Sequence, residues 1–330
     1  MVKRILSIDG GGIKGMYPAT ILADFEQQLE AAGKEPRLYK YFDLISGTST
    51  GGIIAVGLAM GIPAAQIADL YEAYGPKIFN QANMPFGQKA RKMRLFAKHL
   101  TNVKYEPTEL KSALTRVLED RLLGDAKTRL LIPSVHAPDN KPRNFKTRHA
   151  ERFIRDPKRL AVEVCMATAA APTFFKAHEM STGELMIDGG VMANNPIAMA
   201  AVEGVGELGW PREDVRILSI SCLSSPTEIP KKVGGTKFLI KHTLDVFSNV
   251  ASENAIGMAQ ILLGEHGGND HKAIYRIDTT VAPGSYALDA TERIRHLKSL
   301  GKNKSLHEFV KIKDVFFNTE ADTFTPIPMS

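Results

Sequence analysis

The stretch ILSIDGGGIKGMYPATIL, residues 5–22, places an apolar alternation, a glycine cluster and a helical apolar spacing end to end. The same order recurs at once. YFDLISGT (41–48) reads as a second strand, and STGGIIAVGLAMG (49–61) as the helix that follows it. Two strand–glycine turn–helix units within sixty residues point to parallel pairing, because each helix carries the chain back over the sheet. The expected fold is a three-layer α/β/α arrangement around a largely parallel central sheet.

The rest of the chain extends that pattern. Residues 3–8 read as the first strand, and Met16 to Ala32 as a helix closed by Gly33. TRLLIPSVHA (128–137), ELMIDGG (184–190) and VRILSISCL (215–223) read as further strands, and LAVEVCMATAAA (160–171) as a helix packed through small side chains. From Pro226 onward the spacing is more helical. The expected organisation is a domain over 1–225 with a basic helical insertion near 73–105. A mostly helical extension over 226–330 packs on it.

Gly10, Gly12 and Gly15 satisfy G-x-G-x-x-G between a strand and a helix. Bare backbone N–H groups at a helix start attract an anion. That anion is either a cofactor's pyrophosphate or a charge formed during a reaction. The pyrophosphate reading wants an acidic residue about twenty positions on. Glu30 and Glu35 lie near that distance, but neither ends a convincing strand. A phosphate-binding P-loop is disfavoured, since Lys14 is followed by Gly15 and not by Ser or Thr. Asp9 is placed to tie the turn together through its carboxylate.

GTSTG (47–51) matches G-x-S-x-G, the pattern of a nucleophilic serine on a sharp strand-to-helix turn. Gly47 and Gly51 keep the flanks of Ser49 small; Thr48 and Thr50 are less diagnostic. IDGGVMANNP (187–196) then sets Asp188 at a strand end, where Gly189 and Gly190 turn the chain and Pro196 suits a helix start. Asp188 is either a turn aspartate capping its own backbone or a carboxylate presented to a serine.

DGGGIKG (9–15), GTSTG (47–51) and DGG (188–190), in this order, resemble the patatin-like phospholipases over roughly the first two hundred residues. ATAAAPTFF (167–175) resembles the small-residue stretch that the family carries ahead of its aspartate. The resemblance implies a Ser–Asp dyad, with Ser49 as nucleophile and Asp188 as general base. It places the oxyanion hole in the glycine turn, at Gly10, Gly11, Gly12 and Gly15. Lys14, Gly47, Gly51, Gly189 and Gly190 support the site, although the family usually has Arg where Lys14 stands. The implied reaction is ester hydrolysis of membrane phospholipids, with no cofactor and no metal. A histidine after Asp188 (His242, His266, His271, His296 or His307) would complete a triad, but none lies in a motif that presents it.

Lys and Arg number 42 against 36 Asp and Glu, a net charge of +6. That balance suits an anionic surface without demanding one. From Ala73 to Tyr105 there is no acidic residue. Lys89, Arg91, Lys92 and Arg94 in that stretch are the candidate membrane contacts, on either an interfacial helix or a solvated one. The uncharged run from Leu44 to Ala68 is too rich in glycine for a membrane span and reads as buried strand and helix. Two distant cysteines, Cys165 and Cys222, favour a reducing compartment. The expected location is cytoplasmic and peripheral at the inner membrane surface.

The pattern also resembles bacterial patatin-like effectors of antiphage defence, which a cyclic dinucleotide switches on. That likeness implies such an activator as a partner, with no DNA or RNA and with a homodimer allowed. Lys231, Lys232, Lys237 and Lys241, or residues 293–313, could serve an anionic ligand and are equally good solvated faces. Two alternatives stay open: a non-catalytic nucleotide-binding module using the glycine turn, and an acyltransferase sharing the acyl-enzyme.

Overall fold

The computed structural model describes residues 1–79, 103–225, 243–265 and 271–328. The first half of the chain forms β1 (Lys3–Ile8), α1 (Met16–Ala31), β2 (Leu44–Gly47), α2 (Thr50–Ala59), α3 (Ala64–Ile78), α4 (Thr108–Leu118), β3 (Arg129–His136) and β4 (Lys141–Lys146). Then come α5 (Ala161–Thr168), β5 (His178–Glu179), β6 (Leu185–Asp188), α6 (Gly190–Ala193), α7 (Ile197–Val202) and β7 (Val215–Ile220). The chain continues with α8 (Thr243–Leu262), β8 (Ile274–Ile277) and α9 (Ile294–Phe316).

The sheet runs β5-β6-β3-β2-β1-β7-β8, and β4 pairs with β3 off that path. Strands β3, β2, β1, β7 and β8 are mutually parallel, whereas β4 and β6 run antiparallel to β3. Side chains alternate between two cores, as the pleat requires. Leu6, Ile8, Ile45, Ile132, Leu218 and Ile220 face one, with residues of α1, α2, α3, α5 and α9. Ile5, Leu44, Leu131, Val215 and Ile217 face the other, with α7, α8 and Trp210. Burial on both faces explains why these strands read as continuous apolar runs. The expected three layers are therefore present, with an antiparallel margin.

One detail of register places the site. β4 occupies one edge of β3 from Leu131 to His136. β2 and β6 therefore share the other edge: β2 beside Arg129 to Leu131, and β6 beside Ser134 to His136. β2 leaves the sheet after Gly47, and β6 arrives from the opposite direction and ends at Asp188. Two strands that meet end to end along a third bring together residues 139 positions apart.

Three sequence expectations shift. The second strand begins at Leu44, because Leu38–Lys40 is a 3-10 turn. The helix read over 160–171 stops at Thr168, since the carbonyls of Thr168 and Ala170 accept the amides of Gly189 and Asp188. The stretch after Pro226 also carries β8, which extends the sheet beside β7. The long helix α9 crosses α1 closely at Gly301, where a Cβ would stand 2.8 Å from the Tyr17 carbonyl.

The run 44–68 is β2, α2 and the start of α3, all packed in the protein. Among the described residues no helix is long and apolar enough to cross a membrane. Lys89, Arg91, Lys92 and Arg94, like Lys231, Lys232, Lys237 and Lys241, lie outside the described residues.

Candidate active site

Ser49 joins β2 to α2 with φ 56° and ψ −123°. A side chain held there costs on the order of 1–3 kcal/mol and persists only where its surroundings enforce it. The enforcement is visible. A Cβ on Gly47 would stand 2.1 Å from the Gly51 carbonyl oxygen, and one on Gly51 would stand 2.4 Å from that of Ile8. The Ser49 amide donates to Thr168 Oγ1 at 3.0 Å, and Thr168 Oγ1 donates to the Pro133 carbonyl at 2.6 Å. Thr48 Oγ1 donates to the Ala193 carbonyl at 2.7 Å. Thr50 Oγ1 meets the buried Tyr71 hydroxyl at 2.5 Å.

Ser49 Oγ donates to Asp188 Oδ2 at 2.6 Å. The other carboxylate oxygen accepts the Gly190 amide at 2.6 Å. Both oxygens are thereby engaged, and no imidazole stands between serine and aspartate. His271, His296 and His307 are hydrogen-bonded to neither, and His242 and His266 lie outside the described residues. Asp188 is 4% exposed. Burial pushes its pKa up to about 6, against the pull of the Ser49 and Gly190 hydrogen bonds. A carboxyl near 6 is a far better proton acceptor at neutral pH than an ordinary one. Gly189 is required by position, because a Cβ there would stand 2.3 Å from the Pro133 carbonyl oxygen.

The glycine turn lies beside this pair. A Cβ on Gly10 would stand 3.3 Å from Ser49 Cβ and 2.5 Å from Asn194 Oδ1. The four glycines expected to form one ring of donors divide into two kinds. Gly10 donates its amide to the Asn194 carbonyl at 2.9 Å, so it closes the turn and has no free N–H. Gly15 opens α1, and a Cβ there would stand 2.2 Å from Thr50 Oγ1. That glycine serves helix packing. Gly11 and Gly12 are different: among the described residues no hydrogen bond takes their amides. Close approach at these two is to the chain itself, at Cys222 Cβ for Gly11 and the Leu288 carbonyl for Gly12. Packing thus accounts for these glycines with no pyrophosphate.

Lys14 is half-buried, and its ammonium has no hydrogen bond or ion pair among the described residues. Asp9 does not tie the turn alone. Its carboxylate meets Arg276 of β8 in a two-toothed ion pair, NH1 to Oδ1 at 2.9 Å and NH2 to Oδ2 at 2.5 Å. Burial pushes the Asp9 carboxyl up, so its charge depends on that guanidinium.

A profile of the patatin-like phospholipase family matches residues 6–201, the span that carries the glycine turn, Ser49 and Asp188. The chain belongs to the patatin-like phospholipase family. It is a serine hydrolase of that type, acting on lipid esters. It is 32% identical to a cGAMP-activated phospholipase of Vibrio cholerae, over 97% of this chain and 96% of that protein. It is 36% identical to a cGAMP-activated phospholipase of Pseudomonas aeruginosa, over 67% of this chain and 62% of that protein. A patatin-like protein 2 of Arabidopsis thaliana is 37% identical over 64% of this chain and 54% of that protein.

Sequence reading missed Thr168, Tyr71, Asn194 and Arg276, which hold this patatin-like site in place. Thr168 alone carried a signal, as the one polar side chain in ATAAAP. The others act across 21 to 267 positions of chain, where no spacing rule reaches.

Proposed function

We propose that Ser49 is the nucleophile and Asp188 its general base in the hydrolysis of membrane phospholipid esters. The single observation that carries this reading is the Ser49 Oγ–Asp188 Oδ2 contact of 2.6 Å on a backbone turn of positive φ. Ser49 Oγ attacks the ester carbonyl as its proton passes to Asp188 Oδ2. The carbonyl oxygen takes up the negative charge and faces the amides of Gly11 and Gly12. One well-aimed donor of this kind contributes about 2.7–4 kcal/mol to transition-state stabilisation. Collapse of the tetrahedral species expels the alcohol half of the lipid, which leaves with the proton from Asp188. Water then repeats the sequence on the acyl-enzyme, with Asp188 again accepting a proton, and releases the fatty acid.

The similarity to cGAMP-activated phospholipases over nearly the full length of both chains supports a cyclic-dinucleotide switch. The protein meets its substrate peripherally, at the inner surface of a bacterial membrane, and the switch restrains it until phage defence requires it. Fatty-acid release from mixed phospholipid vesicles tests both parts. Wild type with cGAMP should release fatty acid, and Ser49→Ala with cGAMP should release none. Equal release from the two proteins removes the nucleophile assignment. Equal release by wild type with and without a panel of cyclic dinucleotides removes the switch. A product analysis with an added alcohol separates hydrolysis from acyl transfer, since a transferase would yield the new ester.

A further inference from the structure

The turn that carries the Gly11 and Gly12 amides, which no hydrogen bond takes among the described residues, is gripped at both ends by the C-terminal part of the chain. At its start, Asp9 is held by Arg276, 267 positions away. At its end, the Ile13 amide donates to the Leu288 carbonyl at 2.8 Å. The first grip has the more specific geometry. Ser7, Ser219 and Arg276 are laterally paired on β1, β7 and β8. They therefore lie side by side on one face of the sheet, with Asp9 two residues beyond Ser7 on that face. The small Ser219 side chain leaves a lane across β7. The guanidinium lies along it, donates to Ser219 Oγ at 2.6 Å and ends on both oxygens of Asp9. Asp9 itself is fixed through its amide to the Ile220 carbonyl at 3.0 Å. Gly10 and Gly11 follow directly.

We propose that Arg276 is a positioning residue for the oxyanion turn: its fork on Asp9 sets where the Gly11 and Gly12 amides point. This inference rests on the nucleophile reading above and adds to it. A planar, two-toothed grip fixes the angle as well as the place of a carboxylate, which a lysine's point charge does not. Stabilisation by preorganised amides depends steeply on aim, so a loosened Asp9 should be felt in the transition state before the ground state. On this reading β8 is part of the catalytic apparatus.

The test compares wild type, Arg276→Lys, and the double variant Asp9→Asn/Arg276→Gln, which leaves no unpaired charge buried. The probes, used with cGAMP present, are p-nitrophenyl butyrate and an alkyl trifluoromethyl ketone. Ser49 Oγ adds to that ketone, with its proton passing to Asp188, and gives a stable tetrahedral oxyanion. In folded protein the double variant should lose about a hundredfold in kcat with KM within about threefold, near the effect of removing one oxyanion donor. Its Ki for the ketone should rise in step. Arg276→Lys should fall between, about tenfold down, and it carries the test if the double variant does not fold. Variants that are folded yet keep the wild-type kcat and ketone Ki overturn the proposal. Fluorophosphonate labelling of wild type at Ser49 with cGAMP present keeps the two readings apart, since its absence would defeat the nucleophile assignment whatever Arg276 does.

Discussion

Thr168 Oγ1 accepts a hydrogen bond from the backbone N–H of Ser49 at 3.0 Å and donates its own O–H to the Pro133 carbonyl at 2.6 Å. One buried hydroxyl thus ties the serine turn to the central strand beside which Asp188 ends. Thr168→Val keeps the shape and strands both partners, each at about 1–3 kcal/mol. The urea midpoint should fall and kcat should drop, while Thr168→Ser stays close to wild type. A valine variant equal to wild type in both would show that the tie has no consequence.

Activity should follow the ionisation of Asp188. Burial holds this carboxyl up at about 6, with Ser49 and Gly190 pulling the other way. Only the carboxylate can take the Ser49 proton. For a neutral soluble ester, kcat/KM should therefore rise with pH, reach half its plateau near about 6 and level off above. A rise centred near the ordinary carboxylate value of about 3.9 would contradict the buried base.

The same burial makes Asp188 costly to the fold at neutral pH. A carboxyl whose pKa is raised on folding contributes stability below its unfolded value, and loses it as pH rises through about 6. The difference from 3.8 amounts to roughly 3 kcal/mol. Asp188→Asn can keep the Gly190 amide on its oxygen and donate its NH2 to Ser49 Oγ. That variant should be inactive, more stable than wild type at pH 8, and no more stable at pH 3.5. Thermal unfolding across that range measures it, and a variant less stable than wild type at pH 8 would refute the argument.

His149 has the opposite sign. Its ring is buried between Thr147 Oγ1 at 2.9 Å and Glu203 Oε1 at 2.8 Å. Burial lowers its pKa, and Glu203 only partly restores it. The unfolded chain therefore takes up a proton first as pH falls through about 6.5, and stability declines below that point. Glu203 adds a later loss. Burial raises its pKa, but His149 and Lys146 outweigh that and hold it below its ordinary value. Its contribution disappears as pH falls through the carboxylate range. Urea midpoints of His149→Gln should change less between pH 7 and pH 5 than those of wild type. An identical slope would place the acid sensitivity elsewhere.

How much of this was legible differs from element to element. Each strand of the parallel core could be read in advance, because burial on both faces writes a continuous apolar run. The exception was Ile274–Ile277, four residues inside a stretch of mixed charge and helical spacing. The helix over 160–171 ran too long on paper. Alanines favour helix, and only the amides of Asp188 and Gly189 required the carbonyls that end it.

The sequence by itself determined the chemistry available: a serine between glycines, a carboxylate before a turn, and amides bared by missing side chains. These are local facts, set by which φ values and close approaches a residue tolerates. Only the tertiary structure decided which groups serve which purpose. Gly10 went to closing the turn and Gly15 to packing, and among the described residues nothing takes the amides of Gly11 and Gly12. Asp9 went to Arg276, and β6 came to rest against the end of β2. Such pairings depend on strand order and register, and in this protein they join atoms that are neighbours in space and up to 267 residues apart in the chain.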